Sequence, residues 1–286
     1  MSVVSPVVLV ALLVVGAGVV AVIRSFAGGP VSRARVERFA SRQRLTVTAD
    51  NGNQVIRYLA TSRRWRTAGL IGGLVASQVM ASDEQIVTFN FIVIFAGWFL
   101  GALIAEARVA HLRYGVVRGA SLTPRRPARY VRRFAWVLVP ATAALALLTG
   151  VATAVADGLG WAAPDWSAWG WLAVAITLAV AVRVTQLVIL RRPQPLAAAD
   201  VIAADDAIRS RALHVLSGGG AALVLFVWLA QLAAAQPVST AAAEVIGGVG
   251  LLAVFAAALL GWLVATSIWP PPGGARPTGE PATGAP

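Results

Sequence analysis

The chain has 286 residues, of which 58% are hydrophobic and 13% are charged, and the charges lie in a few segments between long apolar stretches. This composition excludes a soluble enzyme, and the absence of cysteine excludes disulfide bonds, thiolate metal sites and a cysteine nucleophile. The net charge of +12 comes from arginines between apolar stretches, which is typical of cytoplasmic loops in membrane proteins and not of a nucleic-acid-binding surface.

The first stretch that can cross a membrane as a helix is residues 3–23. A cleaved signal peptide begins with a basic region and ends at a small-residue cleavage site. Here no arginine precedes the apolar residues, and Arg24 follows them directly. We therefore interpret residues 3–23 as an uncleaved anchor whose N-terminus lies outside the cell.

A basic segment, residues 24–66, follows and carries ten arginines. Residues 31–44 place an imperfect apolar stripe among arginines, which predicts an amphipathic helix. Two interpretations remain open: the helix lies on anionic lipid, or it is solvated and packs on another cytoplasmic segment. From about Asn53 a second helix is expected to continue into the next apolar stretch.

That apolar stretch, residues 67–82, has sixteen uncharged residues and is short for a membrane span, since it covers roughly 24 Å of a hydrocarbon core of about 30 Å. Charge favours a span. If it crosses the membrane, all 24 arginines fall on the cytoplasmic side, whereas otherwise the basic segments 24–66 and 106–133 lie on opposite faces. The charged residues of the outer loops are then all acidic: Asp83, Glu84, Asp157 and Asp165, with Glu244 at the outer start of the last span.

Small residues recur every fourth position in this stretch and in the next one. Such spacing lets two helix backbones approach closely within a membrane. We therefore predict that the second and third spans form a tight antiparallel hairpin. The small residues are Gly69, Gly73, Ser77 and Ala81 in one helix, and Gly97, Gly101 and Ala105 in the other.

The rest of the chain alternates between apolar spans and basic cytoplasmic segments. In segment 106–133, Thr123 and Pro124 predict the start of a helix. Residues 195–215 predict a cytoplasmic helix that continues into a span, and Pro140 is expected to kink the fourth span. The remaining spans are residues 86–105, 134–156, 169–190, 213–235 and 245–268.

The predicted fold is an all-α, polytopic transmembrane bundle of about seven spans, with the N-terminus outside and the C-terminus in the cytoplasm. Its parts are a first transmembrane helix (1–23), a basic cytoplasmic segment (24–66), a six-helix bundle with basic cytoplasmic loops (67–269) and a Pro/Gly-rich disordered tail (270–286).

No catalytic, metal-binding or cofactor-binding constellation is recognisable in the sequence. His111 and His214 are the only histidines and stand apart, without an HExxH motif, and no GxSxG motif is present. Asp205 and Asp206 have the spacing of helical ion pairs with Arg209, which we favour over a cation site.

Polar residues within or beside the spans are candidates for an intramembrane site: Asn90, Glu106, Arg183 and Gln186. Arg183 lies about 12 Å along the helix from Arg191. It is either functional, or it reaches the inner interface or pairs with Glu106. For Asn90 and Gln186 we favour hydrogen bonds between helices over a substrate site.

Three stretches, RLTVTADNGNQVIRYLATSRRWR, SLTPRRPARYV and ADDAIRSRALHVLSGGG, together resemble multi-spanning membrane proteins of actinobacteria. The resemblance covers most of the chain apart from the tail. It implies a bacterial membrane protein, and it implies no activity, cofactor or site residue.

The sequence therefore predicts a non-enzymatic, multi-pass protein of the bacterial plasma membrane. Its partners would be the lipid bilayer, anionic lipid headgroups at the arginine-rich cytoplasmic face, or a membrane or cytoplasmic protein. The alternative is a transporter or permease-like subunit that uses the intramembrane polar residues.

Overall fold

The computed structural model describes residues 29–80, 90–111, 126–161, 164–193, 198–235 and 240–266. Within these ranges the chain forms seven α-helices and a short 3-10 helix (Pro127–Arg129), with no strand, so the all-α class is confirmed for this part. The first predicted span, the predicted helix start at Thr123 and the tail lie outside it. The helices are α1 (Arg33–Gln43), α2 (Ala49–Met80), α3 (Phe91–His111), α4 (Arg133–Gly158), α5 (Trp166–Arg191), α6 (Ala199–Ala234) and α7 (Thr240–Thr266).

Four of the described helices are long and apolar enough to cross a membrane: α3 over Phe91–Ala110, and the whole of α4, α5 and α6. They indicate a membrane protein. Two further predicted spans are helical, in α2 and α7, but are not among these four. In α2 the apolar part is short and contains glycine, serine and glutamine, which lower its hydropathy. The number of seven spans therefore stays a prediction.

Helix α2 begins four residues before the predicted position because Thr48 and Asn51 cap it. The backbone N–H of Thr48 donates to Asn51 Oδ1 (2.9 Å), and that of Asn51 donates to Thr48 Oγ1 (3.3 Å). These reciprocal bonds are those of a capping box. Thr48 Oγ1 and Asn51 Nδ2 also donate to Asp200, at the start of α6. The two long helices are thus tied together where they begin.

Helix α6 is the centre of the bundle. In its most apolar window 83% of the residues are buried, against 28–33% in the corresponding windows of α3, α4 and α5. Its glycines allow close packing: a Cβ on Gly218 would lie 2.8 Å from the backbone nitrogen of Ala265, and one on Gly219 would lie 2.6 Å from the ring of Phe99. The helices around α6 instead expose many large apolar side chains.

The predicted antiparallel packing of α2 against α3 through their small residues is confirmed for the described residues. A Cβ on Gly73 would lie 2.8 Å from the carbonyl oxygen of Val93, and one on Gly97 would lie 2.6 Å from the Cα of Gly73. Cβ atoms do not approach other atoms so closely, so only glycine fits at this contact between α2 and α3. Further along, Ser77 Oγ accepts the backbone N–H of Asn90 (2.7 Å). Ala81 of the predicted stripe lies outside the described residues.

The arginine-bearing ends of the helices meet at one end of the bundle, which we call the basic end. There α2, α4 and α6 begin and α3, α5 and α7 end. These side-chain contacts join them: Arg66 to Glu106 (3.1 Å), Arg192 Nη1 to the Val109 carbonyl (3.1 Å), Ser210 Oγ to the Tyr130 carbonyl (2.9 Å), and Arg211 to the Ala265 carbonyl. The described basic segments therefore share one face, as the charge pattern predicts.

Candidate functional site

Helix α1 packs on the protein with its apolar side. Val36 and Phe39 are buried, and the Phe39 ring lies 5.9 Å from that of Tyr58 in α2. They belong to a small hydrophobic cluster at the basic end that also includes Ile208 of α6. The sequence left two interpretations of α1 open: that it lies on anionic lipid, or that it packs on another segment. Its apolar stripe packs on another segment of the protein. The arginines between these apolar residues are left on the outside.

A cavity of about 210 Å³ lies between α1, α2 and α6 at the basic end. Its lining combines four guanidinium groups with apolar side chains, and no acidic residue is among the described residues that form it. Along α6, Arg211 follows Ile208, which belongs to the small cluster, and precedes Ala212, which belongs to the bundle core. The lining residues are Arg35, Arg38, Phe39, Arg42, Gln43, Leu59 and Arg211.

Positive charge around this cavity is only partly compensated. Burial, followed by the neighbouring cations Arg35 and Arg64, lowers the pKa of Arg63. Glu37, the acid of α1, pairs with Arg33 at 2.7 Å on the exposed side, away from the cavity. Among the described residues, neither Arg35 nor Arg42 forms an ion pair. The Gln43 Oε1 atom is buried without a hydrogen-bond partner in this part of the chain.

Such an arrangement suits a multivalent anion. A guanidinium group presents a planar fork of donors that matches the oxygens of phosphate or carboxylate. Ligand pockets for whole small molecules usually have roughly 300–1,000 Å³. The cavity is smaller, so it accommodates a charged group and leaves the rest of a ligand outside.

Glu106, a candidate from the sequence, is buried in α3 and connects three side chains. Tyr58 Oη donates to Glu106 Oε1 (3.2 Å), and Arg66 Nη2 donates to the same oxygen (3.1 Å). Burial, together with the charge of Glu106, raises the pKa of Tyr58, which therefore stays protonated and remains a donor. The suggestion that Arg183 pairs with Glu106 was wrong, because the ion-pair partner of Glu106 is Arg66.

Arg183 and Gln186 lie together on α5, facing different surroundings. The Arg183 guanidinium carbon is 3.7 Å from the centroid of the Trp136 ring, a cation–π contact, and its Nη1 donates to Gln186 Oε1 (3.3 Å). Gln186 is fully buried and donates to Ser217 Oγ on α6 (3.0 Å). Gln186 thus joins two helices, which is the interpretation favoured from the sequence.

Asn90 has a local role in the described structure. Its Oδ1 accepts the backbone N–H groups of Ile92 (3.1 Å) and Val93 (3.2 Å), so it caps the start of α3. Its own backbone N–H is bound by Ser77 of α2. It therefore joins two helices through its backbone, while its side chain lies at a helix end.

Sequence reasoning found only the Asp205–Arg209 pair of a buried charge network at the α5–α6 connection. Arg209 is fully buried, and all five of its N–H groups have acceptors: Asp205 Oδ2 (2.8 Å), and the carbonyls of Ile189 (3.0 Å), Leu190 (3.3 Å), Arg192 (2.8 Å) and Pro193 (3.3 Å). Arg209 therefore caps the C-terminus of α5, where cations are favoured.

The predicted Asp205–Arg209 pair is confirmed, and Asp205 also binds Arg192. Asp206 instead accepts hydrogen bonds from Arg129 (2.9 Å) and Tyr130 (3.1 Å). The two neighbouring carboxylates thus serve different partners, and in the described part of the chain no three His, Asp or Glu residues come together as a metal site.

The site that sequence reasoning failed to identify is the cavity itself. Arginines of α1 were recognised as a possible lipid-binding face, but Arg211 comes from a helix 169 residues after Arg42 in the chain, and no local pattern connects them. No protein family, curated protein or solved structure matches this chain in the comparisons.

Proposed function

We propose that this chain is a non-enzymatic, multi-pass protein of a bacterial plasma membrane that binds the phosphate group of anionic lipids at the α1–α2–α6 cavity. The supporting observation is the cavity lined by four guanidinium groups and no described acid. The proposal includes seven spans, an external N-terminus, and the basic end in the cytoplasm. The proposal also includes a relationship to multi-spanning membrane proteins of actinobacteria.

The position of the cavity along the bundle supports a lipid ligand. Arg211 stands where the bundle core gives way to the small cluster, and it donates to Ala265 in the last turn of α7. Transmembrane helices end near the lipid headgroups, where arginines reach for phosphate. A soluble anion would not require the cavity to lie near the helix ends. A lipid headgroup would enter a cavity at that position while its acyl chains stayed in the bilayer.

Binding is tested on the purified full-length protein in detergent by thermal unfolding with three additives: dioctanoyl phosphatidic acid, dioctanoyl phosphatidylcholine and inorganic phosphate. We expect stabilisation by phosphatidic acid alone, weaker at high salt. At a free lipid concentration about 100 times Kd, mass action gives about 2.7 kcal/mol. An equal effect of inorganic phosphate would contradict the lipid as the source of the phosphate, and the absence of any effect would overturn the proposal.

The membrane topology is tested in a separate experiment, by labelling single introduced cysteines. The absence of native cysteine makes this labelling specific. Ser41→Cys in α1 and Leu159→Cys after α4 are each exposed to a membrane-impermeant maleimide in intact cells. We expect labelling of Leu159→Cys alone, with Ser41→Cys reacting only after lysis. Labelling of Ser41→Cys in intact cells would contradict the proposed orientation.

A further inference from the structure

An apolar groove of about 440 Å³ runs along the outer side of the α2–α3 hairpin. On α2 its floor is formed by positions four residues apart, Ala68, Gly72 and Ala76, which are all exposed. A Cβ on Gly72 would meet nothing within 4 Å. On α3 the wall includes Leu100 and Ile104, which are 48% and 41% exposed. The described residues thus leave this surface uncovered.

The chain enters the described structure at the level of one end of this groove, on another side of α2. Arg63 Nη2 donates to the carbonyl of Gly29, and Trp65, two residues after Arg63, is the first groove residue on α2. Residue 23, the end of the first apolar segment, is only six residues before Gly29. The apolar segment is therefore held within a short tether of the groove.

We propose that residues 3–23 pack into the groove between α2 and α3, running antiparallel to α2. In this arrangement Ile23 lies near Trp65 at the basic end, and the segment continues toward Ala76. A tether this short gives the segment a high effective concentration at the groove, which a free lipid chain or a second copy lacks. The inference is independent of the proposed lipid site.

The segment has the composition that the groove requires. Its half nearer Arg24 contains Gly16, Ala17, Gly18 and Ala21, and small residues let helices approach closely where lipid supplies no hydrophobic drive. The groove on α2, from Trp65 to Ala76, extends over roughly 16 Å as a helix, about half of the length of a 21-residue helix. The half with small residues is the half that would lie in it.

Disulfide scanning of the full-length protein in membranes tests this arrangement, because the chain has no native cysteine. Three pairs are in register: Ala21→Cys with Ala68→Cys, Ala17→Cys with Gly72→Cys, and Leu13→Cys with Ala76→Cys. Two mismatched pairs, Ala21→Cys with Ala76→Cys and Leu13→Cys with Ala68→Cys, differ from these by about 12 Å along the helix. Ser77→Cys with Asn90→Cys serves as the positive control for oxidation.

After mild oxidation, free thiols are alkylated with a maleimide polymer, and an intrachain disulfide is read as loss of the mobility shift. We expect this loss for the in-register pairs and the positive control, with the full shift kept by the mismatched pairs. Retention of the shift in every test pair while the control reacts would overturn the proposal. So would covalent dimers on non-reducing gels, because they would place a second copy in the groove.

Discussion

Two groups of arginines at the basic end have opposite surroundings. Arg209 and Arg192 are buried at the α5–α6 connection, and Arg209 has an acceptor for every donor. Arg35, Arg38 and Arg42 line a cavity on the surface, where Arg38 donates, within the described part of the chain, only to a backbone carbonyl one turn earlier in α1. The first group holds helices in place, while the second has donors free for a ligand. The side chains are chemically identical, so the acceptors around them determine the role.

Removal of Arg209 is the change with the largest expected effect on stability. Arg209→Met leaves Asp205 with one cation fewer and deprives four carbonyls of a donor, and breaking a buried ion pair costs about 3–5 kcal/mol. We expect a large loss of thermal stability in detergent. Arg57→Gln, an exposed change on α2, is the control and should leave stability unchanged. Equal stability of Arg209→Met and the wild type would remove the distinction between the two groups.

The Glu106–Arg66 pair is intermediate between the buried arginines and the arginines of the cavity, because the Arg66 side chain is 17% exposed. Glu106→Leu leaves Tyr58 and Arg66 without their acceptor, and an unsatisfied buried donor costs about 1–3 kcal/mol. Glu106→Gln keeps an acceptor oxygen and should recover part of that loss. Thermal unfolding of both variants measures the difference. A Gln variant no more stable than the Leu variant would show that these hydrogen bonds do not stabilise the fold.

Arg183 is expected to have a smaller effect. Arg183→Leu removes its contact with Trp136 and its bond to Gln186, and an exposed cation–π pair contributes about 0.5–1 kcal/mol. Gln186 keeps its bond to Ser217, so the helix contact persists. A loss of stability as large as that of Arg209→Met would place Arg183 among the structural arginines.

Helical periodicity and charge predict the parts of this fold that depend on local sequence. The long continuous helices α2 and α6, the glycine contact between α2 and α3, and the common face of the basic segments all follow from residues close together in the chain. Each rests on a local rule: apolar length, small-residue spacing, or positive charge in cytoplasmic loops.

Contacts between distant residues could not be read in this way. The C-terminus of α5 is capped by Arg209 through carbonyls 16 to 20 residues earlier, and the cavity needs Arg211 beside α1. Tyr58 and Arg66 meet Glu106 only because glycines bring α2 against α3. The sequence identifies these residues as polar or charged, but their partners depend on how the helices pack.

The most direct test of a defined anion site compares two variants that remove the same charge. Arg38→Gln with Arg42→Gln changes the cavity, whereas Arg33→Gln with Arg57→Gln changes exposed arginines outside it. Binding of dioctanoyl phosphatidic acid to each full-length protein is measured by calorimetry at one salt concentration. We expect the cavity variant to lose binding and the outer variant to keep it, with both as stable as the wild type. Equal loss in both would contradict a defined site and leave only general attraction to a basic surface.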